Sequence, residues 1–214
     1  MSVKIAILDY GVGNLFSVAN ALTTAGADAI ITSSPTDIKS ADKILLPGVG
    51  AMKDAMHHMQ ECGIDTAVKD ALNTKPVMAI CVGMQAMFDY STEGGKVDCL
   101  GVIAGSVERF DSSWTQNGQP IKIPHVGWNT VHTDSDHVLW QGCNHQHFYF
   151  THSYYCKPDM NNPKNAGIIT ATCDYGVEFC ASLIKDNLFI TQFHPEKSHD
   201  AGLRLLKNFI EWQI

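Results

Sequence analysis

The sequence predicts an α/β fold: a mixed, mostly parallel sheet flanked by helices, with an added antiparallel β region in the second half. Three observations lead to this prediction. Short apolar runs alternate with helical stretches through the first half of the chain. From Leu100 onward, short β-branched and aromatic runs alternate with turn residues instead. The strand–helix rhythm returns at the end, after Leu188.

Size and composition predict one folded domain spanning residues 1–214. Hydrophobic residues make up 45% and charged residues 17% of the chain, so a sizeable core is available and disorder is not expected. The net charge of -7 argues against nucleic-acid or anionic-membrane binding. The apolar runs are too short to span a membrane.

The seven cysteines and ten histidines show no pattern of a metal or disulfide site. The cysteine count is odd, no C-x-x-C pair occurs and no signal peptide precedes the first apolar run, so a cytoplasmic protein with reduced thiols is expected. No cysteine or acidic cluster accompanies His145 and His147 at the spacing of metal ligands. Gly11-x-Gly13 lacks the third glycine of a dinucleotide fingerprint, because Phe stands at position 16. Neither a metal nor a cofactor is expected.

The first half is predicted to alternate strands and helices. The first strand, expected to be central, precedes a tight turn and a helix that stops at Gly26. A later helix is expected to break at Gly63. The predicted elements are strands at Val3–Leu8, Ala27–Thr32, Lys43–Leu46 and Val77–Ile80, and helices at Leu15–Leu22, Ala51–Asn73 and Met84–Tyr90.

The segment around Cys81 carries the first chemical signal. A buried strand leads to this thiol and a helix follows it, with the small residues Ala79 and Gly83 on either side. This is the pattern of a nucleophile elbow, with Cys in place of Ser. The positive end of the following helix favours a thiolate at that position. A plain buried cysteine is the alternative that this segment alone leaves open.

A second segment favours the interpretation of Cys81 as a nucleophile over that of a plain buried cysteine. The apolar run Leu188–Phe193 ends in His194, and Glu196 follows two residues later. A histidine at a strand end is placed to act as base for a cysteine at another strand end of the same sheet. Glu196 is then the group that orients the imidazole, as in a catalytic triad.

The loop Pro47–Gly50 follows the third predicted strand. Its two glycines let backbone N–H groups turn toward a ligand, and its position beside the elbow strand favours an oxyanion loop over an ordinary turn.

The second half is predicted to be mainly β structure. Aromatic and β-branched runs indicate strands, and two polar stretches indicate loops. A closing helix carries Leu203, Leu206, Phe209 and Ile210 at helical spacing. The predicted strands are Val102–Phe110, Asn129–His132 and His147–Tyr155, and the predicted loops are Asp111–Gln119 and Met160–Lys164.

Several motifs together resemble a known family. The segments at 81–85 and 194–198 resemble the triad, or class I, glutamine amidotransferases. Further pieces resemble the glutaminase subunits of imidazole glycerol phosphate synthases, across positions 7–209. These pieces are Asp9–Leu15, Pro47–Gly50, Ile123–Asn129 and Phe148–Tyr155. The chain departs from the family pattern at Ala79, Val82 and Val126, where Gly, Leu and Met are usual; no triad member is lost.

The resemblance implies an activity and roles for individual residues. Cys81, His194 and Glu196 would hydrolyse glutamine to glutamate and ammonia. The N–H groups of Val82 and of Val49 or Gly50 would hold the oxyanion. Because a subunit that hydrolysed glutamine without an acceptor would waste it, and because a peptide plane flips easily at glycine, we expect an inactive resting loop with no N–H at the oxyanion position. The implied glutamine-binding residues are Gln85, Glu93, Ser153 and Tyr154.

The resemblance also implies a partner. It is a (β/α)8 cyclase that receives ammonia through a channel in a heterodimer and makes imidazole glycerol phosphate and aminoimidazole carboxamide ribotide in histidine biosynthesis. The interface and gate would include Asn14, Trp128, Tyr149 and Lys197. Three alternatives remain: the glutaminase subunit of a paralogous sugar-amidating synthase, a standalone α/β cysteine hydrolase, and a non-enzymatic module that kept the fold.

Overall fold

The computed structural model describes residues 2–214. Its helices cover the two faces of a large sheet, as the sequence predicts. The predicted break at Gly63 is confirmed, since this residue adopts a left-handed φ of 69° between two helices. The helices are α1 Leu15–Thr24, α2 Pro35–Ser40, α3 Met52–Glu61, α4 Ile64–Ala71, α5 Val82–Ala86 and α6 His199–Glu211.

The strands fall into one large mixed sheet and two small pairs. They are β1 Lys4–Leu8, β2 Asp28–Thr32, β3 Lys43–Leu46, β4 Val77–Ile80, β5 Tyr90–Ser91, β6 Val97–Asp98, β7 Gly105–Arg109, β8 Thr115–Gln116, β9 Gln119–Pro120, β10 His125–Thr130, β11 His147–His152, β12 Tyr154–Pro158, β13 Ile169–Asp174, β14 Glu178–Lys185 and β15 Leu188–Thr191.

The large sheet has the strand order β2-β1-β3-β4-β15-β14-β12-β7-β5-β6, with β13 also paired to β14. The first five strands in this order are parallel, and antiparallel pairing begins between β15 and β14. The predicted mixed α/β fold is confirmed. The central position expected for the first strand is wrong, because α1 returns the chain so that β2 is the edge and β1 lies next to it.

Four element predictions need correction. The strand predicted over Asn129–His132 runs instead over His125–Thr130, where it pairs with β11. The helix predicted over Met84–Tyr90 ends at Ala86, because Tyr90 pairs with Ser106 as part of β5. The strand predicted over His147–Tyr155 is interrupted at Ser153, where the chain leaves the β10–β11 pair and joins the large sheet. The loop predicted at Asp111–Gln119 contains the hairpin of β8 and β9.

That hairpin had a readable signal. Asn117 and Gly118 form its turn, both with positive φ (51° and 75°), which is the preference of two-residue hairpin turns. Helix α2 was also not predicted, although Ser34 caps it through a hydrogen bond to the Asp37 N–H and Pro35 occupies its first turn.

The order of the parallel strands places the site. Strands β3, β4 and β15 are neighbours and run in the same direction, so their carboxyl ends lie at one edge of the sheet. The segments that leave these ends are the Pro47–Gly50 loop, Cys81 and the His194 turn. All three strands are fully buried, which gives this edge a rigid base. Among residues 2–214, no helix is long and apolar enough to cross a membrane.

Candidate active site

Cys81 stands at a strained turn between β4 and α5. Its φ of 56° and ψ of -111° are unusual for a residue with a side chain. Its N–H donates to the Thr191 carbonyl at 2.8 Å, which continues the ladder between β4 and β15. A Cβ at Gly83 would collide with the Leu46 carbonyl oxygen, so the turn requires glycine there. The structure therefore has the local geometry of a nucleophile elbow.

His194 and Glu196 form a buried pair beside this turn. His194 Nδ1 lies 2.7 Å from Glu196 Oε1, and the two side chains are 3% and 2% exposed. Because a carboxylate accepts, Nδ1 carries the proton and Nε2 is left for the cavity. Among residues 2–214, no group bonds to Nε2. Burial lowers the pKa of His194, but the nearby Cys81 and the hydrogen bond and charge of Glu196 outweigh burial and raise the pKa to about 10.

The backbone around His194 is held by a residue that sequence reasoning did not assign a role. Ser198 is 1% exposed, and its Oγ donates to the His194 carbonyl at 2.6 Å. The same Oγ accepts the Tyr149 N–H at 2.9 Å. The His194 N–H in turn donates to the Tyr149 carbonyl at 2.9 Å. The histidine turn is thus fixed to strand β11 on both sides.

The Pro47–Gly50 loop approaches the elbow closely. The Val82 N–H donates to the Gly48 carbonyl at 3.4 Å. Carbonyl and N–H point in opposite directions across a trans peptide, so the Val49 N–H points away from Val82. A Cβ at Gly48 would come within 2.6 Å of the Gly83 nitrogen, so only glycine permits this approach. Of the predicted oxyanion donors, Val82 is already engaged and Val49 is turned away.

A cavity of about 340 Å³ brings most of the predicted site residues together. It is open to solvent at one side and reaches Cys81 and His194. Glu196 lies behind His194 rather than on the wall. Pro124, Thr151 and His152 belong to the lining but were not predicted as site residues. The predicted residues that line it are Val49, Gly50, Cys81, Val82, Gln85, Glu93, Ser153, Tyr154 and His194.

The predicted glutamine-binding residues already have partners of their own. Glu93 Oε2 accepts the Met52 N–H at 2.7 Å, at the start of α3. The Ser153 carbonyl accepts the Phe110 N–H at 3.1 Å. The Tyr154 carbonyl accepts from Gln85 Nε2 at 3.1 Å. Both backbone carbonyls are therefore occupied, whereas the Ser153 N–H donates to no group among residues 2–214.

The predicted gate residues are only partly assembled. The Trp128 ring meets the Tyr149 ring edge-on at 6.0 Å, and Lys197 Nζ lies 5.8 Å from the centre of the Tyr149 ring. Trp128 also stacks on His199 at 5.0 Å, a contact that sequence reasoning missed. Asn14 lies just before α1, and its side chain makes no capping hydrogen bond there.

The other thiols differ from Cys81 in their surroundings. Burial raises the pKa of Cys180 to about 12, and it raises the pKa of Cys143 and of Cys173 equally. Such thiols stay protonated and unreactive at neutral pH. All seven cysteines are free. Across residues 2–214, no group of three or more His, Cys, Asp or Glu side chains is placed to hold a metal ion.

Comparison with known proteins defines the class. Residues 6–212 match the family described as glutamine amidotransferase class-I. A solved glutamine amidotransferase superposes with a TM-score of 0.72 at 17% identity, covering 97% of each chain. The PurLQS structure from Thermotoga maritima superposes with a TM-score of 0.71 at 13% identity, covering 99% of each chain. The chain belongs to the class I glutamine amidotransferases.

Curated relatives narrow the assignment. The imidazole glycerol phosphate synthase subunit HisH of Acinetobacter baylyi is 52% identical over 213 residues, 99% of each chain. The subunit of the same name from Methylococcus capsulatus is 46% identical, covering 98% of this chain and 97% of its own. Within its class, the chain belongs to this HisH family.

Proposed function

We propose that this chain is the glutaminase subunit of an imidazole glycerol phosphate synthase and that Cys81, His194 and Glu196 are its catalytic triad. The observation that carries the proposal is the adjacency of β3, β4 and β15, whose carboxyl ends bring a glycine loop, a thiol and a paired imidazole to one cavity. Seven free thiols suit the reducing cytoplasm, where we place the reaction.

The chemistry is covalent amide hydrolysis. The Cys81 sulfur attacks the side-chain amide carbon of glutamine, and His194 holds the proton that the thiol gave up. His194 then donates this proton to the departing nitrogen, so that ammonia leaves and a γ-glutamyl thioester remains. Water attacks the thioester while His194 accepts its proton, releasing glutamate and restoring the thiol. Glu196 keeps the Nδ1 proton in place and stabilises the imidazolium.

The electrostatics of the pair support this sequence of steps. The pKa of His194 is raised above its ordinary value by Cys81 and Glu196, which favours the imidazolium form. The thiolate is the form of cysteine that attacks carbonyl carbon. The imidazolium is also the acid that the leaving nitrogen needs. The proton that His194 takes from the thiol is therefore the one that it gives to the leaving nitrogen.

The backbone partners suggest how glutamine lies in the cavity. The carbonyls of Ser153 and Tyr154 are occupied, so this strand offers donors rather than acceptors. We assign the Ser153 N–H to the α-carboxylate of glutamine. Glu93 has further lone pairs beside the Met52 bond and is the negative charge on the cavity wall. We assign it to the α-ammonium.

The oxyanion loop supplies the control. With the Val82 N–H on the Gly48 carbonyl and the Val49 N–H turned away, two of the three candidate donors do not point at the tetrahedral intermediate. Rotation of the Gly48–Val49 peptide would release Val82 and point the Val49 N–H toward the cavity. We propose that binding of a (β/α)8 cyclase and its acceptor substrate shifts the loop population to this active form. Ammonia then passes to the cyclase instead of being lost to water.

The partner-facing side is assigned to the mouth beside Trp128 and Tyr149. Trp128 is 44% exposed and Val126, on the same strand, is 55% exposed, so β10 presents apolar surface next to the cavity. Tyr149 shares its backbone hydrogen bonds with the histidine turn. Contacts made by a partner at this mouth therefore reach His194 through a single strand pair.

The test is a comparison of glutaminase rates in three states. Glutamate formation is measured for the free chain, for its complex with the cyclase, and for that complex with acceptor ligand. One oxyanion donor is worth about 10²–10³ in rate, so stimulation of that order is expected. Rates that agree within a factor of about two, far below one oxyanion donor, would replace the proposal with a standalone hydrolase. Imidazole glycerol phosphate among the products distinguishes this synthase from a sugar-amidating one.

A further inference from the structure

A buried side-chain amide touches the sulfur of the nucleophile. Gln192 is 0% exposed, and its Nε2 donates to Cys81 Sγ at 3.7 Å. It lies between β15 and the His194 turn, and its own N–H donates to the Ala181 carbonyl at 2.8 Å, so its backbone is fixed. The catalytic steps described above make no use of this contact.

The orientation of this amide follows from a backbone group that can only accept. The Tyr154 carbonyl receives Gln85 Nε2 at 3.1 Å, so the nitrogen of Gln85 must face it. The same Gln85 nitrogen lies 3.0 Å from Gln192 Oε1, and two facing donors would repel. The oxygen of Gln192 must therefore face Gln85. Its nitrogen is left facing Cys81, as an N–H donor to sulfur.

The same carbonyl orders two histidines behind it. His152 Nδ1 lies 2.7 Å from the Tyr154 carbonyl and must carry a proton. His152 Nε2 is then an acceptor for His125 Nδ1 at 3.1 Å. Burial lowers the pKa of His152 to about 3 and that of His125 to about 4, so both rings are neutral and keep these tautomers. The carbonyl is thus held from two sides.

We propose that Gln192 is a positioning residue for the nucleophile, holding Cys81 Sγ in the cavity and favouring its thiolate through a neutral N–H donor. The inference rests on the proposed function only in taking Cys81 as the nucleophile. A neutral donor stabilises negative charge on sulfur without competing for the proton that His194 holds. It also fixes the direction of a side chain whose backbone is strained at φ 56°.

Other titratable groups near the sulfur do not supply this effect. His194 lines the same cavity as the sulfur and, in the proposed steps, holds the mobile proton. The Tyr10 hydroxyl and the Cys156 thiol are also close enough to sense its charge, and burial raises the pKa of both groups, so they remain neutral. Gln192 is therefore the neutral amide donor that the structure places on Sγ.

The test measures the reactivity of Cys81 directly. The synthase complex carrying Gln192→Met, which keeps the length of the side chain and removes the donor, is alkylated with iodoacetamide from pH 5 to 10, and Cys81 is followed by peptide mass. We expect the alkylation rate at pH 7 to fall about tenfold and its pH midpoint to rise by about one unit, the scale of one hydrogen bond to a charged acceptor. The kcat for glutamine should fall while KM stays within about threefold, because the contact is to the nucleophile rather than the substrate.

The control is Ser182→Ala, which removes an equally buried hydrogen bond, from Ser182 Oγ to the Ile190 carbonyl at 2.7 Å, away from the sulfur. It should leave the alkylation profile unchanged. If Gln192→Met does not fold, Gln192→Glu keeps the shape and places a carboxylate against the sulfur, and alkylation at pH 8 should fall further.

Two outcomes separate the inference from the proposed function. A wild-type alkylation profile in Gln192→Met or Gln192→Glu, with Cys81→Ala inactive toward glutamine, overturns the role of Gln192 alone. Full glutamine-dependent activity in Cys81→Ala overturns the proposed function instead. Ammonia-dependent synthase activity, measured in parallel, should be the same in every variant, because that reaction does not use the sulfur.

Discussion

The two sides of the cavity differ in how firmly they are built. On one side, Cys81 and His194 follow the ends of buried parallel strands, and a hydrogen bond of 2.7 Å pairs His194 with Glu196. On the other side, the Pro47–Gly50 loop holds the Val82 N–H through a 3.4 Å contact, and Val49 is 38% exposed. The strand-end residues are already in position for the proposed chemistry. The loop, in contrast, presents the Gly48 carbonyl to them rather than an N–H group.

This difference has a physical origin. Moving a triad residue would break a strand ladder and expose core side chains, whereas rotating one peptide beside glycine costs little. The loop is anchored at Pro47, whose carbonyl accepts a hydrogen bond from the Tyr10 hydroxyl at 2.7 Å. Such a site keeps its nucleophile ordered, and its activity would be controlled by the orientation of one peptide, Gly48–Val49.

The largest effect is expected from removing the nucleophile. Cys81→Ala should abolish glutamine-dependent synthase activity and leave ammonia-dependent activity of the complex intact, because only the first reaction needs the sulfur. Both activities are measured on the same purified complex. Equal loss of both would mean that Cys81 holds the fold and does no chemistry. Retained use of glutamine would point to another thiol.

The base should come next. His194→Asn is expected to lower the glutaminase rate at least about 10³-fold, since members of a triad fail as a unit. Glu196→Gln keeps the shape and should cost less, about 10²-fold, because His194 remains in place but loses the carboxylate that orients its Nδ1. Steady-state rates at saturating glutamine check both variants. A wild-type rate in His194→Asn would remove the triad.

A smaller effect should appear on the loop side. Val49 now has a negative φ, and the proposed rotation would turn that φ positive, which costs a β-branched residue about 1–2 kcal/mol. Val49→Gly removes this cost, so the free chain should hydrolyse glutamine about tenfold faster without a partner. Val49→Ala retains a Cβ and serves as the matched control. Equal rates in the two variants would show that the loop is not limiting.

The smallest effect concerns stability and pH. The folded pKa of His194, raised to about 10, lies above its unfolded value of about 6.5. The contribution of His194 to the free energy of unfolding is therefore complete below about pH 6.5 and is lost as pH rises toward about 10. The Tm gap between wild type and His194→Asn should shrink over this range, by about 2–4 °C per kcal/mol lost. A Tm difference that does not change with pH would contradict the pairing of a protonated His194 with Glu196.

The sequence alone was sufficient for the fold class, and it named the three residues of the proposed triad before the structure brought them together. Buried strands are continuous apolar runs, so Val77–Ile80 and Leu188–Phe193 could be identified without any tertiary information. Polar residues directly after such runs, Cys81 and His194 among them, must meet when the strands are parallel neighbours. Glu196 follows at a distance that a single turn spans.

Only the tertiary structure decided what holds and restrains these residues. Gln192 reaches the sulfur of a residue 111 positions away, and Ser198 bridges to a strand 49 positions away, so no local pattern marks either contact. The direction of the Gly48 carbonyl is likewise absent from the sequence, because glycine permits both orientations of the peptide and the neighbouring Val82 N–H selects one. The residue types at Cys81 and His194 determined which chemistry is proposed for the site, and long-range hydrogen bonding determined the geometry of the site.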